Sequence, residues 1–107
     1  METKSVIAAL AALAQESRLN AFRLLVQTGP QGLAASKIGE QLDIAPSSLS
    51  FHLKELTNAG LIEARQEGRF IIYSANFDTM NGVLSYLTEN CCGSQSCSPS
   101  SSKTCKP

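Results

Sequence analysis

No stretch constrains this chain more than Ala45 to Gly60, APSSLSFHLKELTNAG. Leu49, Leu53 and Leu56 recur at intervals of four and three residues, which places them on one stripe of a helix and makes that stripe the buried side. The opposite side carries Ser47, Phe51, Lys54 and Asn58, flanked by Ser48 and Ser50, a set rich in hydrogen-bond donors and poor in acids. Pro46 suits the first helical position, where its missing N–H is no loss. Asn58-Ala59-Gly60 is a stop signal, because Gly accepts the left-handed conformation common at helix C-termini. Upstream, Ala34 to Leu42 forms a second short helix with Ile38 and Leu42 on one face, and Asp43-Ile44-Ala45 is the turn between the two. Gly39 inside it costs about 1 kcal/mol relative to Ala, tolerable where a second helix crosses closely. Two short helices on a tight turn fit a helix-turn-helix, and by spacing alone they fit a generic helical pair equally well.

The residues after Gly60 favour the helix-turn-helix. Leu61 to Arg65 and Phe70 to Ala75 are rich in Ile, Phe and Tyr and are separated by Gln66-Glu67-Gly68-Arg69, which predicts a hairpin. A hairpin after a helix-turn-helix makes a winged helix, mainly α with one β-hairpin. In that setting Arg65 and Arg69 near the tip are candidates to reach phosphate or an adjacent minor groove.

The stretches LAQESRLNAFRLL and IGEQLDIAPSSLSFHLKELTNAGLIEARQEGRFIIYS resemble the ArsR/SmtB family of bacterial metal-responsive winged-helix repressors, over about residues 5 to 90. The resemblance rests on the small residue in the first helix of the pair, Ser and His in the second, and Gly-Arg leading into a strand that ends in Tyr. It implies a homodimer joined through the first and last helices, double-stranded operator DNA as partner, and release by an inducer ion.

Periodicity gives the remaining helices. Val6, Leu10 and Leu13, with Ile7 and Ala14, make an amphipathic stripe that Thr3 or Ser5 can cap. Lys4 followed by VIAALAALA imitates a signal peptide, but the run is far too short to span a bilayer, and cleavage there would remove a helix that the resemblance assigns to the fold. The reading is therefore a cytoplasmic protein with no membrane partner. Ser17 is the expected cap of a second helix in which Leu19, Phe22, Leu25 and Val26 face inward, stopped by Gly29-Pro30. Phe77, Met80, Leu84 and Leu87 predict a closing helix over Asp78 to Asn90. The first and last helices carry more apolar surface than so small a core can cover, so Val6, Leu10, Leu13, Met80, Leu84 and Leu87 are the expected dimer seam.

With 107 residues, 43% of them apolar, the chain can build one small domain. Nine basic and nine acidic residues cancel, which excludes a protein that coats nucleic acid by bulk charge but not a specific binder. Recognition must come from local placement, and the candidates are Ser47, Ser48, Ser50, Phe51 and Lys54 in the major groove with Arg65 and Arg69 on the flanks. His52 is the sole histidine, with no ligand at metal-binding spacing on its helix, and its angle near the Leu stripe favours packing. No phosphate loop, paired-carboxylate site or nucleophile elbow occurs, so no catalytic residue is assigned and no enzyme is expected.

Composition changes sharply after Cys92. Residues 1–92 form the expected winged-helix and dimerisation domain, whereas 93–107 hold six Ser, two Pro and no large apolar residue, predicting a flexible Ser/Cys-rich tail. All four cysteines lie at positions 91, 92, 97 and 105. Free cysteines are normally buried small hydrophobes, so four in a polar segment call for a chemical role. A structural disulfide is disfavoured by a reducing cytoplasm. A redox switch, a four-thiolate zinc site without the usual Cys-x-x-Cys knuckles, and a trivalent arsenic or antimony site of three sulfurs all remain open, with thiolate softness favouring a soft ion.

The resemblance narrows these. The Cys-x-Cys of the family's well-known arsenite sensors would fall at Ala34 and Ser36, and the zinc ligands of its last helix are matched only by Asp78 and Glu89, with no His. What is left resembles the subgroup with inducer thiols at the C-terminal end. It implies Cys91, Cys92 and Cys97 as ligands, with Cys105 dispensable, and no permanently bound cofactor. The expected function is an arsenic-responsive repressor released when As(III), Sb(III) or methylarsenite binds those thiolates. The alternatives are a thiol-based redox-sensing repressor and a metal-scavenging thiol module.

Overall fold

A computed structural model of the chain describes residues 1–89. Five helices and a small sheet run in the order α1 (Thr3–Leu13), α2 (Glu16–Thr28), β1 (Leu33–Ala34), α3 (Ala35–Leu42), α4 (Pro46–Asn58), β2 (Ile62–Glu67), β3 (Phe70–Ala75) and α5 (Phe77–Leu87). The sheet has the strand order β1-β3-β2, antiparallel throughout. Leu25, Ile38, Leu53, Leu56, Leu61 and Ile62 are the largest fully buried side chains, so one core joins α2, α3, α4 and the base of β2.

The α3–α4 unit forms as its sequence directs. Asp43 takes the left-handed conformation (φ 55°, ψ 51°) and ends α3, and the Ile44 amide donates to the Gly39 carbonyl at 3.0 Å. A Cβ at Gly39 would lie 3.2 Å from the Ile44 carbonyl oxygen and 3.3 Å from Leu49 Cδ2, so the crossing is close and a side chain there would press on both neighbours. Pro46 opens α4. At its other end the Leu61 amide donates to the Leu56 carbonyl (3.0 Å) and the Gly60 amide to the Thr57 carbonyl (2.9 Å), with Gly60 at φ 79°. This paired pattern is a Schellman cap and satisfies carbonyls the helix leaves free.

Several expectations need correction. Neither Thr3 nor Ser5 caps α1. Glu2 occupies the cap position without a side-chain bond, and the Thr3 hydroxyl meets the Tyr86 hydroxyl of α5 instead. Gln15, not Ser17, caps α2, its side chain accepting from the Arg18 amide at 2.9 Å, because the extended backbone falls at residue 15. Leu19, expected to face inward, is exposed, and Ala21 takes the buried place beside Phe22 and Leu25. Ala34 is not helical but belongs to β1, pairing with Ile72 as Leu33 pairs with Tyr73. The wing ladder extends beyond Arg65 to the pair Glu67 and Phe70, leaving Gly68-Arg69 as the turn. Gly68 has φ 62° and Arg69 has no positive φ, the arrangement of a II′ turn. Finally, α5 ends at Leu87 with Thr88 as its cap, short of the expected end at Asn90, which lies outside the described residues.

Candidate nucleic-acid interface

Helix α4 is held from behind and free in front. Leu49, Leu53 and Leu56 are all at or below 3% exposure, whereas Ser47, Ser48, Ser50, Phe51 and Lys54 are all exposed. Leu burial of this kind stabilises by roughly 2 kcal/mol per side chain, which fixes the roll of the helix about its axis and hence which residues point outward. The first nine residues of the helix, Pro46 to Lys54, contain no acid. A helix N-terminal half with small donors, one lysine and no carboxylate is suited to approach a polyanion. Lys37, exposed on α3, is a further cation that sequence reasoning misses; its charge is the only signal, and one charge on a helix face says little.

The two wing arginines differ in their surroundings. Arg69 sits at the exposed turn. Arg65 lies mid-strand opposite Ile72, and its guanidinium donates from Nη2 to the Gln31 carbonyl at 2.6 Å, more weakly from Nη1 to the Pro30 carbonyl at 3.4 Å, and from Nε to Glu67 at 2.6 Å. These bonds tie the wing to the loop before β1, a contact 34 residues apart in sequence that local patterning cannot reveal. Arg65 is therefore oriented toward its own chain rather than held ready at the tip.

His52 is half-buried, and its Nδ1 is enclosed with no hydrogen-bond partner among the described residues. Its ring packs edge to face against Phe51, centroids 5.8 Å apart at 63°. That agrees with a packing role. No group of three His, Cys, Asp or Glu among the described residues is placed to hold a metal. Cys91, Cys92, Cys97 and Cys105 lie outside the described residues. Of the positions matching an alternative thiol site on α3, Ala34 is half-buried in β1 and Ser36 is exposed.

The expected dimer seam divides in two. Val6 is 2% exposed and belongs to the core of the single chain, with Ala9 and Ala12, so it is not free to meet a second copy. Leu13 and Met80 are half-buried against the same core. Leu10 and Leu87 are exposed, as is Ile7, and Leu84 is half-buried. From Val6 to Leu13 helix α1 is apolar on both sides, with Val6, Ala9 and Ala12 turned inward and Ile7, Ala8, Leu10 and Ala11 outward.

A helix-turn-helix domain family model matches residues 13–65. The arsenical resistance operon repressor of Bacillus subtilis is 36% identical over 81 residues, covering 76% of this chain and 73% of the repressor. The chain belongs to the ArsR family of winged-helix transcriptional regulators. Solved structures agree with this family assignment. An ArsR-like transcriptional regulator from Rhodococcus sp. RHA1 superposes with a TM-score of 0.69 at 26% identity, over 81% of this chain and 78% of that one. A homodimeric winged helix-turn-helix DNA-binding domain from Mycobacterium bovis gives 0.67 at 27% identity, over 81% of each chain. In this winged helix, α3 and α4 are the helix-turn-helix and β2–β3 the wing. No helix among the described residues is long and apolar enough to cross a membrane.

Proposed function

We propose that this ArsR-family chain is a dimeric repressor that reads operator DNA with the front of α4 and releases it when As(III), Sb(III) or methylarsenite binds C-terminal thiolates. The observation that carries the DNA half is the front of α4: Ser47, Ser48, Ser50, Phe51 and Lys54 exposed over a buried leucine stripe. In a helix-turn-helix the second helix enters the major groove with its N-terminal residues toward the base edges. Arg69 at the wing turn takes a flanking phosphate, and Arg65 holds the wing in place. Leu10, Leu84 and Leu87, with Ile7, form the seam with a second copy, in keeping with the homodimeric Mycobacterium bovis relative.

The inducer half is supported by chemistry and by kinship. A relative is named for arsenical resistance, and every cysteine of this chain falls just after α5, with no thiol at Ala34 or Ser36. Cys91, Cys92 and Cys97 are assigned as ligands and Cys105 as dispensable. Three thiols displace the three hydroxyls of arsenous acid as water, leaving a pyramidal AsS₃ centre, and soft thiolates select such an ion. Residues 1–92 then act as the DNA-binding and dimerisation unit and 93–107 as a tail that supplies thiols, in a cytoplasm that keeps them reduced. The Tyr86–Thr3 hydrogen bond joins α5 to α1, and the shared core joins α1 to α4, so the end of α5 is in structural contact with the DNA-reading helix.

Arsenite-dependent release of a fluorescent operator, followed by anisotropy, tests this reading. Wild type should lose at least tenfold in affinity, which requires a difference of about 1.4 kcal/mol between states. Cys91→Ser with Cys92→Ser should abolish the response to both ions, and Cys97→Ser should impair that to arsenite while largely sparing methylarsenite, which needs only two sulfurs. Full arsenite response without Cys91 and Cys92 would end the proposal, and equal release by diamide would favour a redox sensor.

A further inference from the structure

Phe51 is the one large apolar side chain on the outward face of α4, 57% exposed among serines and Lys54. A phenyl ring held in water on a helix front is an energetic loss unless something covers it, and none of the described residues does. With the front of α4 in the major groove, its role as the DNA-reading helix, the ring meets base edges. There it can make no hydrogen bond. The floor of the major groove presents acceptors and amino donors at every base pair and only one apolar group, the 5-methyl of thymine. The flanking Ser47, Ser48 and Ser50 are short and pair with several base edges, so they do not by themselves select one base strongly.

We propose that Phe51 is a specificity-determining residue that recognises the 5-methyl group of one thymine in each operator half-site. The ring is positioned for it. Its ring packs edge to face on the half-buried ring of His52, a contact that favours the present rotamer of Phe51 before DNA arrives. Less side-chain freedom is then lost on binding. Position 51 is also within the first two turns of α4, the part of a recognition helix that approaches the bases most closely.

The inference rests on the DNA-reading role of α4, and its test separates the two. Duplexes are selected from a random pool with wild-type protein, and each thymine of the selected site is then replaced singly by deoxyuridine, which deletes only the methyl group. Wild type should lose about fourfold in affinity at one thymine per half-site, the value of one buried methyl, ~0.8 kcal/mol. Phe51→Ala should lose about the same on the thymine duplex and nothing further on the uracil duplex, while Phe51→Leu, still apolar, should retain a reduced penalty. Because the ring is exposed, both variants should melt like wild type. An undiminished uracil penalty in Phe51→Ala, or no sensitive thymine for wild type, overturns the role of Phe51 and leaves the DNA reading standing. Failure of wild type to enrich any sequence overturns the DNA reading itself, and this role with it.

Discussion

The outer faces of α1 and α4 are both exposed in the single chain, yet they are built from opposite materials. That of α1 offers Ile7 and Leu10 among alanines, whereas that of α4 offers three serines and Lys54 around a single phenyl ring. Behind each, the helix is anchored in the same core, α1 by Val6, Ala9 and Ala12 and α4 by Leu49, Leu53 and Leu56. Exposure alone therefore does not tell what a face does; its chemistry names the covering. A continuous apolar face is suited to another apolar face, and a donor-rich face without acid is suited to a polyanion.

The largest expected effect tests the apolar face. A carboxylate in a dry seam costs several kcal/mol unless paired, so Leu10→Asp should weaken self-association at least a hundredfold by sedimentation velocity, and Leu84→Asp should act likewise. Operator affinity should fall in step, since one winged helix reads only a half-site. A wild-type monomer that binds operator tightly would erase the contrast between the two helices.

A smaller effect is expected on the polar face. Ser50→Ala should lower affinity for operator about fivefold, one net hydrogen bond of about 1 kcal/mol, and leave random duplex almost unchanged. Equal losses on both duplexes would mean that α4 only positions and does not specify.

The mildest effects sharpen the comparison at the wing. Arg69→Ala should weaken operator and random duplex alike and reduce the slope of log affinity against log salt by about one. Arg65→Ala should leave that slope unchanged, because its guanidinium is engaged with Pro30, Gln31 and Glu67. If instead Arg65→Ala changes the slope, the assignment of roles between the two arginines is reversed.

How legible a feature is in the sequence depends on how local its cause is. The leucine stripe of α4, the Pro46 start and the Gly60 stop each depend on residues a few positions apart, and each is found, as is the close crossing at Gly39. The two-residue strand β1 has no period to detect, and it exists because β3, far along the chain, offers a free edge. Val6 reads as part of the seam because α1 is apolar all round, and periodicity cannot say which apolar side turns inward. The grip of Arg65 on the loop at residues 30–31 is a tertiary contact with no trace in either segment. The front of α4 is legible because a solvent-facing stripe is simply the complement of a buried one.

The anchored wing also bears on the duplex. A two-stranded ribbon is pliable by itself, but this one is braced by β1 along one edge and by Arg65 at the preceding loop. With the α4 front and the Gly68-Arg69 turn on the duplex as proposed above, their span is set by the protein, and any mismatch with the spacing of the grooves is absorbed by bending or twisting the DNA. Operators with easily deformed pyrimidine–purine steps between the two points of contact bear that distortion at the least cost, so base pairs that no side chain touches still contribute to the choice of site.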